Sequence, residues 1–300
     1  MTAFFPMTSL ANILKDPPPA YAFELSEAGI AFARVGEPAQ VNFVPFQTGV
    51  LQVSPAHDNL HQPQVVQEKI HSLALPNGHR KRRAALILPD YCARVAVLDF
   101  DNFPTDPHEQ VALLRFRMKK SVPFDVDTAI VSYAVQARGA GVRAKVEVLA
   151  ALMGSEIVAH YEAPFRTAGF HPGMVTTSSL AALNLCHPDG ITMLVKIGGR
   201  VLSVLVLVGS TLKLARCVET DGARPEEIEA VLHPTVAYIE DELKATPQRI
   251  WLCGFGEGSA ELARQWNAEW GVEVEQLRSR FGSPGGNDAG LRGYLESVAR

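Results

Sequence analysis

Four groups of residues have types and spacings that could do chemistry. Gly254-Phe255-Gly256-Glu257-Gly258 stands between a strand pattern at Arg249–Cys253 and a helical pattern beginning at Ser259. Glycines let a backbone approach a ligand, and a helix N-terminus attracts phosphate, so this loop is a candidate nucleotide contact. His57 and His61 are four apart, which is metal-ligand spacing on a helix. They lie between Pro55 and Pro63, where a helix is not expected, so no metal is assigned to them. His79-Arg80-Lys81-Arg82-Arg83 is the one dense charge run, read as a solvated loop that could also meet anionic lipid. Cys92, Cys186, Cys217 and Cys253 are far apart with no C-x-x-C pair, and read as small buried apolar residues in a reducing compartment.

Elements that would position such groups centre on Thr192–Val218. Three runs rich in β-branched residues are separated by Gly198-Gly199-Arg200 and Gly209-Ser210-Thr211, which predicts a three-stranded meander. The middle run, Val201–Val208, is almost wholly apolar and should be covered on both faces. A second meander is predicted at Tyr21–Leu25, Gly29–Val35 and Gln40–Phe46, with breaks of similar length. A pattern recurring about 170 residues later suggests a duplicated domain.

Between the meanders, the spacing predicts a helix at 63–75, strands at 84–88 and 93–100, and a helix starting at Thr105 and running to about Lys120. A β-hairpin follows at 129–137 and 143–152. Beyond it come helices at 156–168 and 177–185 flanking a short strand at Met174-Val175. After the second meander come a helix from Arg224 to about Lys244, the strand at 249–253, a helix at 259–270, a strand at 272–276, a Gly-rich loop at 281–289 and a closing helix. Residues 1–20 read as a tail.

Totals exclude several classes. The 300 residues suit two domains; 47% hydrophobic and 20% charged is ordinary for a soluble globular chain. A net charge of −4 gives no bulk attraction to nucleic acid. No apolar run reaches the roughly 20 residues of a membrane span. A cytoplasmic protein is expected.

The order of elements resembles the PilM family of type IV pilus assembly, cytoplasmic actin-like proteins related to the cell-division protein FtsA and to the cytoplasmic part of the type II secretion protein GspL. The residues that carry the resemblance are Leu86-Ile-Leu-Pro-Asp90, Phe103-Pro104, Val122-Pro123-Phe124-Asp125 and Tyr133, then Glu147-Val-Leu-Ala-Ala-Leu152, Ala168-Gly169-Phe170 and Ser179-Leu-Ala-Ala-Leu-Asn184. It covers roughly residues 20–280. It implies an α/β, two-domain actin-like ATPase (ribonuclease H-like) fold with an inserted small α+β subdomain. The implied divisions are a tail at 1–20, a first half at 21–90 and 150–188, the insertion at 91–149 and a second half at 189–300.

In that family the first turn of each meander embraces the phosphates of ATP, and an Asp ending each first strand works with Mg²⁺ and water. The resemblance places Glu24 at the first Asp position and Lys196 at the second, with Leu25-Ser26-Glu27 where small residues are usual and Glu219-Thr220 where the family has Gly-Gly. Lys196 cannot hold Mg²⁺, and Glu27 would repel phosphate. Glu24, Ser26, Lys196, Gly198, Gly199, Gly254, Gly256 and Gly258 are therefore nucleotide-binding residues only if binding of ATP or ADP with Mg²⁺ is retained. No catalytic residue and no resident metal are assigned.

The resemblance implies a scaffold at the inner face of the cytoplasmic membrane, a peripheral position, and a bitopic inner-membrane partner of the PilN kind. The partner's short cytoplasmic N-terminus would lie in a groove near Leu86, Leu88, Pro89, Val95 and Val97. Self-association is left open. Two other readings compete. One is an active Mg-ATP-dependent ATPase of the same fold. The other is a small-molecule kinase using Asp90, Asp99 or Asp101 as a cleft acid.

Overall fold

The computed structural model describes residues 17–73, 82–138, 145–222 and 224–299. In chain order the elements are β1 (Tyr21–Ser26), β2 (Gly29–Arg34), β3 (Asn42–Pro45), α1 (Pro63–Leu73), β4 (Arg82–Leu88), β5 (Arg94–Phe100), α2 (Pro107–Met118), β6 (Ile130–Arg138) and β7 (Val146–Met153). There follow α3 (Ser155–Thr167), β8 (Phe170–Thr177), α4 (Ser178–Ala182), β9 (Ile191–Gly198), β10 (Val201–Val208), β11 (Thr211–Glu219), α5 (Pro225–Glu242), β12 (Arg249–Cys253), α6 (Ser259–Trp270), β13 (Glu273–Gln276) and α7 (Ala289–Val298).

These strands make two five-stranded sheets of the same design, β3-β2-β1-β4-β8 and β11-β10-β9-β12-β13, and a three-stranded sheet β5-β7-β6. In each large sheet an antiparallel meander is extended by two parallel strands, β1 on β4 in the first and β9 on β12 in the second. The repeated meander is thus a repeated sheet. The apolar strand β10 is buried along most of its length, as its composition requires. The small sheet and α2 enclose their own core around Phe100, Phe103, Leu114 and Val148, which makes the inserted α+β unit a separate packing layer.

Several boundaries differ from the sequence reading. Helix α2 starts at Pro107, not Thr105, because Asp106 is the N-cap and accepts the His108 N–H at 3.1 Å. Strand β8 runs for eight residues rather than two. Pro172 and Gly173 interrupt the sequence pattern, but parallel pairing with β4 continues past them with an irregularity at Ala84/Ala85. Strand β4 begins at Arg82, inside the basic run. Arg82 is buried, with its guanidinium 3.9 Å from the Phe170 ring centroid and an N–H donated to the Ala168 carbonyl. That part of the run is not a solvated loop; His79, Arg80 and Lys81 lie outside the described residues, as do residues 1–16.

The largest departure is α7. Grouped with residues 189–300 by the sequence division, it packs instead on the first sheet, where Leu291, Tyr294 and Leu295 bury against Ala22, Ala31, Ala33, Ala85 and Ile87. Its seat explains two glycines. A Cβ at Gly293 would stand 2.0 Å from the Ala181 carbonyl oxygen, and one at Gly290 would stand 2.8 Å from the Ser178 Cα. α7 and α4 meet backbone to backbone. A further apolar cluster crosses between the halves, joining Phe23, Leu86 and Leu180 to Leu194, Leu205, Leu212 and Trp251.

Candidate functional site

The duplicated sheets put Glu24 and Lys196 at corresponding places. Each lies near the end of the central meander strand of its sheet, opposite Ala31 and Ser203 respectively on the neighbouring antiparallel strand. Both are buried, with 1% and 3% of their surface exposed. Between them sits Asp90, just past the end of β4, itself 8% exposed.

Asp90 gathers donors from both halves. Its Oδ1 accepts the Ser179 N–H at 2.6 Å, and its Oδ2 accepts the hydroxyls of Ser179 at 2.5 Å and Ser203 at 2.9 Å. Lys196 Nζ donates to the same Oδ2 at 3.2 Å, closing an ion pair. Glu24 is equally occupied. One oxygen accepts the Ser178 hydroxyl and the other accepts the Leu291 N–H at 2.6 Å. The two carboxylates thus satisfy amides in the first turns of α4 and α7, groups a helix cannot pair internally.

Burial and charge work against each other here, and the winner differs by residue. At Glu24 burial wins over Lys196, Ser178 and Leu291, and the carboxyl is pushed up to about 7. At Asp90 burial acts the same way, but Lys196 and the Ser179 and Ser203 bonds outweigh it and hold the carboxyl below its ordinary value. Burial alone would drive Lys196 toward the neutral amine; Asp90 and Glu24 outweigh it and hold the ammonium above its ordinary value. Asp90⁻–Lys196⁺ is therefore the charged pair of the site.

The glycines expected to cradle phosphate are partly spent on packing. A Cβ at Gly198 would meet the Gly286 carbonyl oxygen at 3.0 Å, and one at Gly254, where φ is +87°, would meet the Ile197 carbonyl oxygen at 2.0 Å. The loop carrying Gly286 thus lies directly on the ends of β9 and β12. Glu27, beside Ser26 in the first turn, accepts the Val53 N–H at 2.8 Å. What remains among Glu24, Ser26, Glu27, Lys196, Gly199 and Gly286 is a recess of about 40 Å³. That is room for water, far below the roughly 300–1,000 Å³ of small-molecule pockets. Thr220, at the family's second-glycine position, is buried and donates its N–H to the Arg200 carbonyl at 2.7 Å.

A wider recess of about 580 Å³ opens next to this corner, lined by Gly199, Ile228, Gly254, Phe255, Gly258 and Gln265. Gly256 and Gly258 have no atom near a would-be Cβ and face open space. The residues present fit a nucleoside-sized group and do not fit a Mg²⁺-triphosphate. Its cation would have to displace Lys196 from Asp90, or the α7 amide from Glu24.

Other predicted residues are scattered. Leu86 and Leu88 are fully buried in the interior strand β4, between β1 and β8, and cannot line a groove. Val95 and Val97 on β5 are half-buried, and Pro89 is partly exposed. Val95 does line a recess of about 210 Å³, together with Tyr91, Pro123, Leu180, Leu205 and Ala215, where the insertion meets both halves. His57 and His61 are exposed in the connection between β3 and α1, off any helix. Asp99 and Asp101 are exposed and remote from the Asp90 cluster. Sequence reasoning missed Ser178, Ser179 and Ser203. Ser203 left a signal, as the one hydroxyl in the apolar run Val201–Val208.

Comparison with known proteins places the fold. No family model and no curated protein matches the sequence. Among solved structures, a chain of a PilM-PilN type IV pilus biogenesis complex superposes with a TM-score of 0.70 at 18% identity, covering 94% of this chain and 99% of that one. A Bacteroides thetaiotaomicron protein with an actin-like ATPase fold and unknown function gives a TM-score of 0.57 at 11% identity, covering 92% and 94%. The cytoplasmic domain of EpsL from the Vibrio cholerae type II secretion system is more distant, at a TM-score of 0.46 and 14% identity over 77% and 80%. The chain has the actin-like ATPase fold, and the likeness to PilM read from its sequence reappears as a likeness of fold.

Proposed function

We propose that this protein is a non-hydrolysing actin-like scaffold of a type IV pilus or type II secretion-like assembly. It works at the inner face of the cytoplasmic membrane and holds the cytoplasmic N-terminal segment of a bitopic inner-membrane protein. The observation that carries the reading is the near-complete superposition on a chain of the PilM-PilN complex. Among the described residues no helix is long and apolar enough to cross a membrane, in keeping with a peripheral position.

The recess bounded by Tyr91, Val95, Pro123, Leu180 and Ala215 is the seat we assign to the partner segment. Its walls combine these apolar side chains with Arg94 and Arg216 and with the Asp90, Ser179 and Ser203 cluster, which suits an extended peptide carrying apolar anchors and polar groups. Synthetic peptides from the N-termini of bitopic pilus and secretion proteins test this by fluorescence anisotropy. Binding by one of them, lost in Val95→Asp, supports the reading. No binding by any of them to the intact protein sinks it.

A second reading is favoured by the recess beside Gly256 and Gly258, which has the size of a nucleoside site. In that case adenine nucleotide binds without turnover.

A further inference from the structure

We infer that the Asp90–Lys196 pair is a built-in clamp that holds the two actin-like halves closed on each other without a bound nucleotide. This does not rest on the identity of any partner. It concerns what keeps the cleft shut.

The groups come from opposite sides. Asp90 follows β4 and Ser179 opens α4, both in the first half. Lys196 lies near the end of β9 and Ser203 sits beside it on β10, in the second. All four are buried, and the other three reach the Asp90 carboxylate within 3.2 Å. A cleft operated by ligand needs facing groups that are left unsatisfied until the ligand arrives. Here they satisfy one another. A ligand shifts an equilibrium only by its differential affinity for the two states. With Asp90 paired to Lys196, and Glu24 holding Ser178 and the Leu291 amide, Mg²⁺-nucleotide has little by which to prefer one state.

Opening that parts Asp90 from Lys196 before water reaches them would strand a buried charge, which is strongly destabilising. Other ties run in parallel. Gln136 of the insertion exchanges two hydrogen bonds with the Leu212 backbone at 2.8 and 3.0 Å, and Lys213 pairs with Glu147 at 2.5 Å. α7 returns from the second half to dock on the first and takes Glu24 as its cap. Ion pair, insertion and returning helix all pull in one direction. The consequence is a partner surface that is presented constantly rather than gated by nucleotide.

Hydrogen exchange read by mass spectrometry, with small-angle scattering, tests this on the full chain. Wild-type protein is expected to show the same exchange at 178–180 and 201–205, and the same radius of gyration, with and without millimolar Mg-ATP. Asp90→Asn keeps one acceptor oxygen for the Ser179 N–H and offers an amide donor to the Ser179 and Ser203 hydroxyls, while removing the charge. It is expected to speed exchange at those amides about tenfold or more and enlarge the particle, leaving β12 and α6 unchanged. Asp90→Leu combined with Lys196→Met, an apolar replacement of the pair, is expected to close again. A wild-type protein that changes shape with Mg-ATP overturns the clamp. So does an Asp90→Asn protein indistinguishable from wild type, or one loosened equally throughout.

Discussion

Glu24 Oε2 accepts the Leu291 N–H at 2.6 Å, so the carboxyl near the end of the first strand caps the last helix of the chain. The carboxyl that the sequence resemblance sets at a magnesium-associated position is here a fastening point between segments 267 residues apart. A carboxyl engaged this way has a pH signature, and its sign can be worked out.

Burial lifts Glu24 from an ordinary 4.5 to about 7. The folded protein therefore holds a proton there that the unfolded chain has released, and stability contributed by this group falls as pH rises from 4.5 to 7. At about 1.4 kcal/mol per pH unit the loss is about 3 kcal/mol. Asp90 behaves oppositely. Its carboxyl is held below the ordinary 3.8, so its contribution is complete above that value and fades as pH falls below it. Glu24→Gln can still accept from Leu291 while its amide donates to Ser178. Thermal melts at pH 5 and pH 8 should show the variant gaining on wild type at the higher pH. Equal differences at both would show that Glu24 does not titrate in this range.

Gly293→Ala tests the seat of α7. Helix propensity alone favours the substitution by about 1 kcal/mol. The added Cβ would stand 2.0 Å from the Ala181 carbonyl oxygen, and forcing atoms into a packed contact costs about 1–3 kcal/mol. Backbone on both sides leaves little room to yield, so packing should win, with a net loss of about 1–2 kcal/mol in denaturant unfolding. Gly36→Ala, with no atom within 4 Å of the new Cβ, is the control and should stay within about 0.5 kcal/mol of wild type. A stabilised Gly293→Ala would mean that α7 does not sit against α4.

Arg82 should behave as a core residue rather than a surface cation. Arg82→Gln removes its contact with the Phe170 ring and weakens its bond to the Ala168 carbonyl. The expected cost is about 2 kcal/mol of stability, with no change in binding to vesicles of anionic lipid. Reduced vesicle binding with unchanged stability would return Arg82 to the surface.

How much of this was legible follows from the range of the interactions. The duplicated meanders were readable because β-branched runs with short Gly breaks are local patterns, as Val201–Val208 shows. The insertion was readable for the same reason. The exchange of an acid for Lys196 at the second strand end was visible against the family pattern. Its partner was not, because Asp90 lies 106 residues away and nothing in the local sequence links them. α7 was placed with its neighbours in sequence, since its docking on the first sheet depends on contacts such as Tyr294 with the first-sheet core. Leu86 and Leu88, which the resemblance sets near a groove, read from their own apolar run beside Ala84 and Ala85 as plain core strand, and that is what they are.

The nucleotide question reduces to what magnesium would find. A Mg²⁺ ion keeps several waters and needs one or two free carboxylates beside the phosphates. Glu24 accepts two hydrogen bonds, Asp90 is paired with Lys196, and the corner between them measures about 40 Å³. Adenine nucleotide binding measured by calorimetry should therefore be unaffected by Mg²⁺, whatever its strength in the recess beside Gly256. Phosphate release should stay at the background of a Lys196→Met protein. Affinity that rises with Mg²⁺, or turnover abolished by Glu24→Ala, would mean that the ion pair opens to admit the metal. The protein would then be an ATPase.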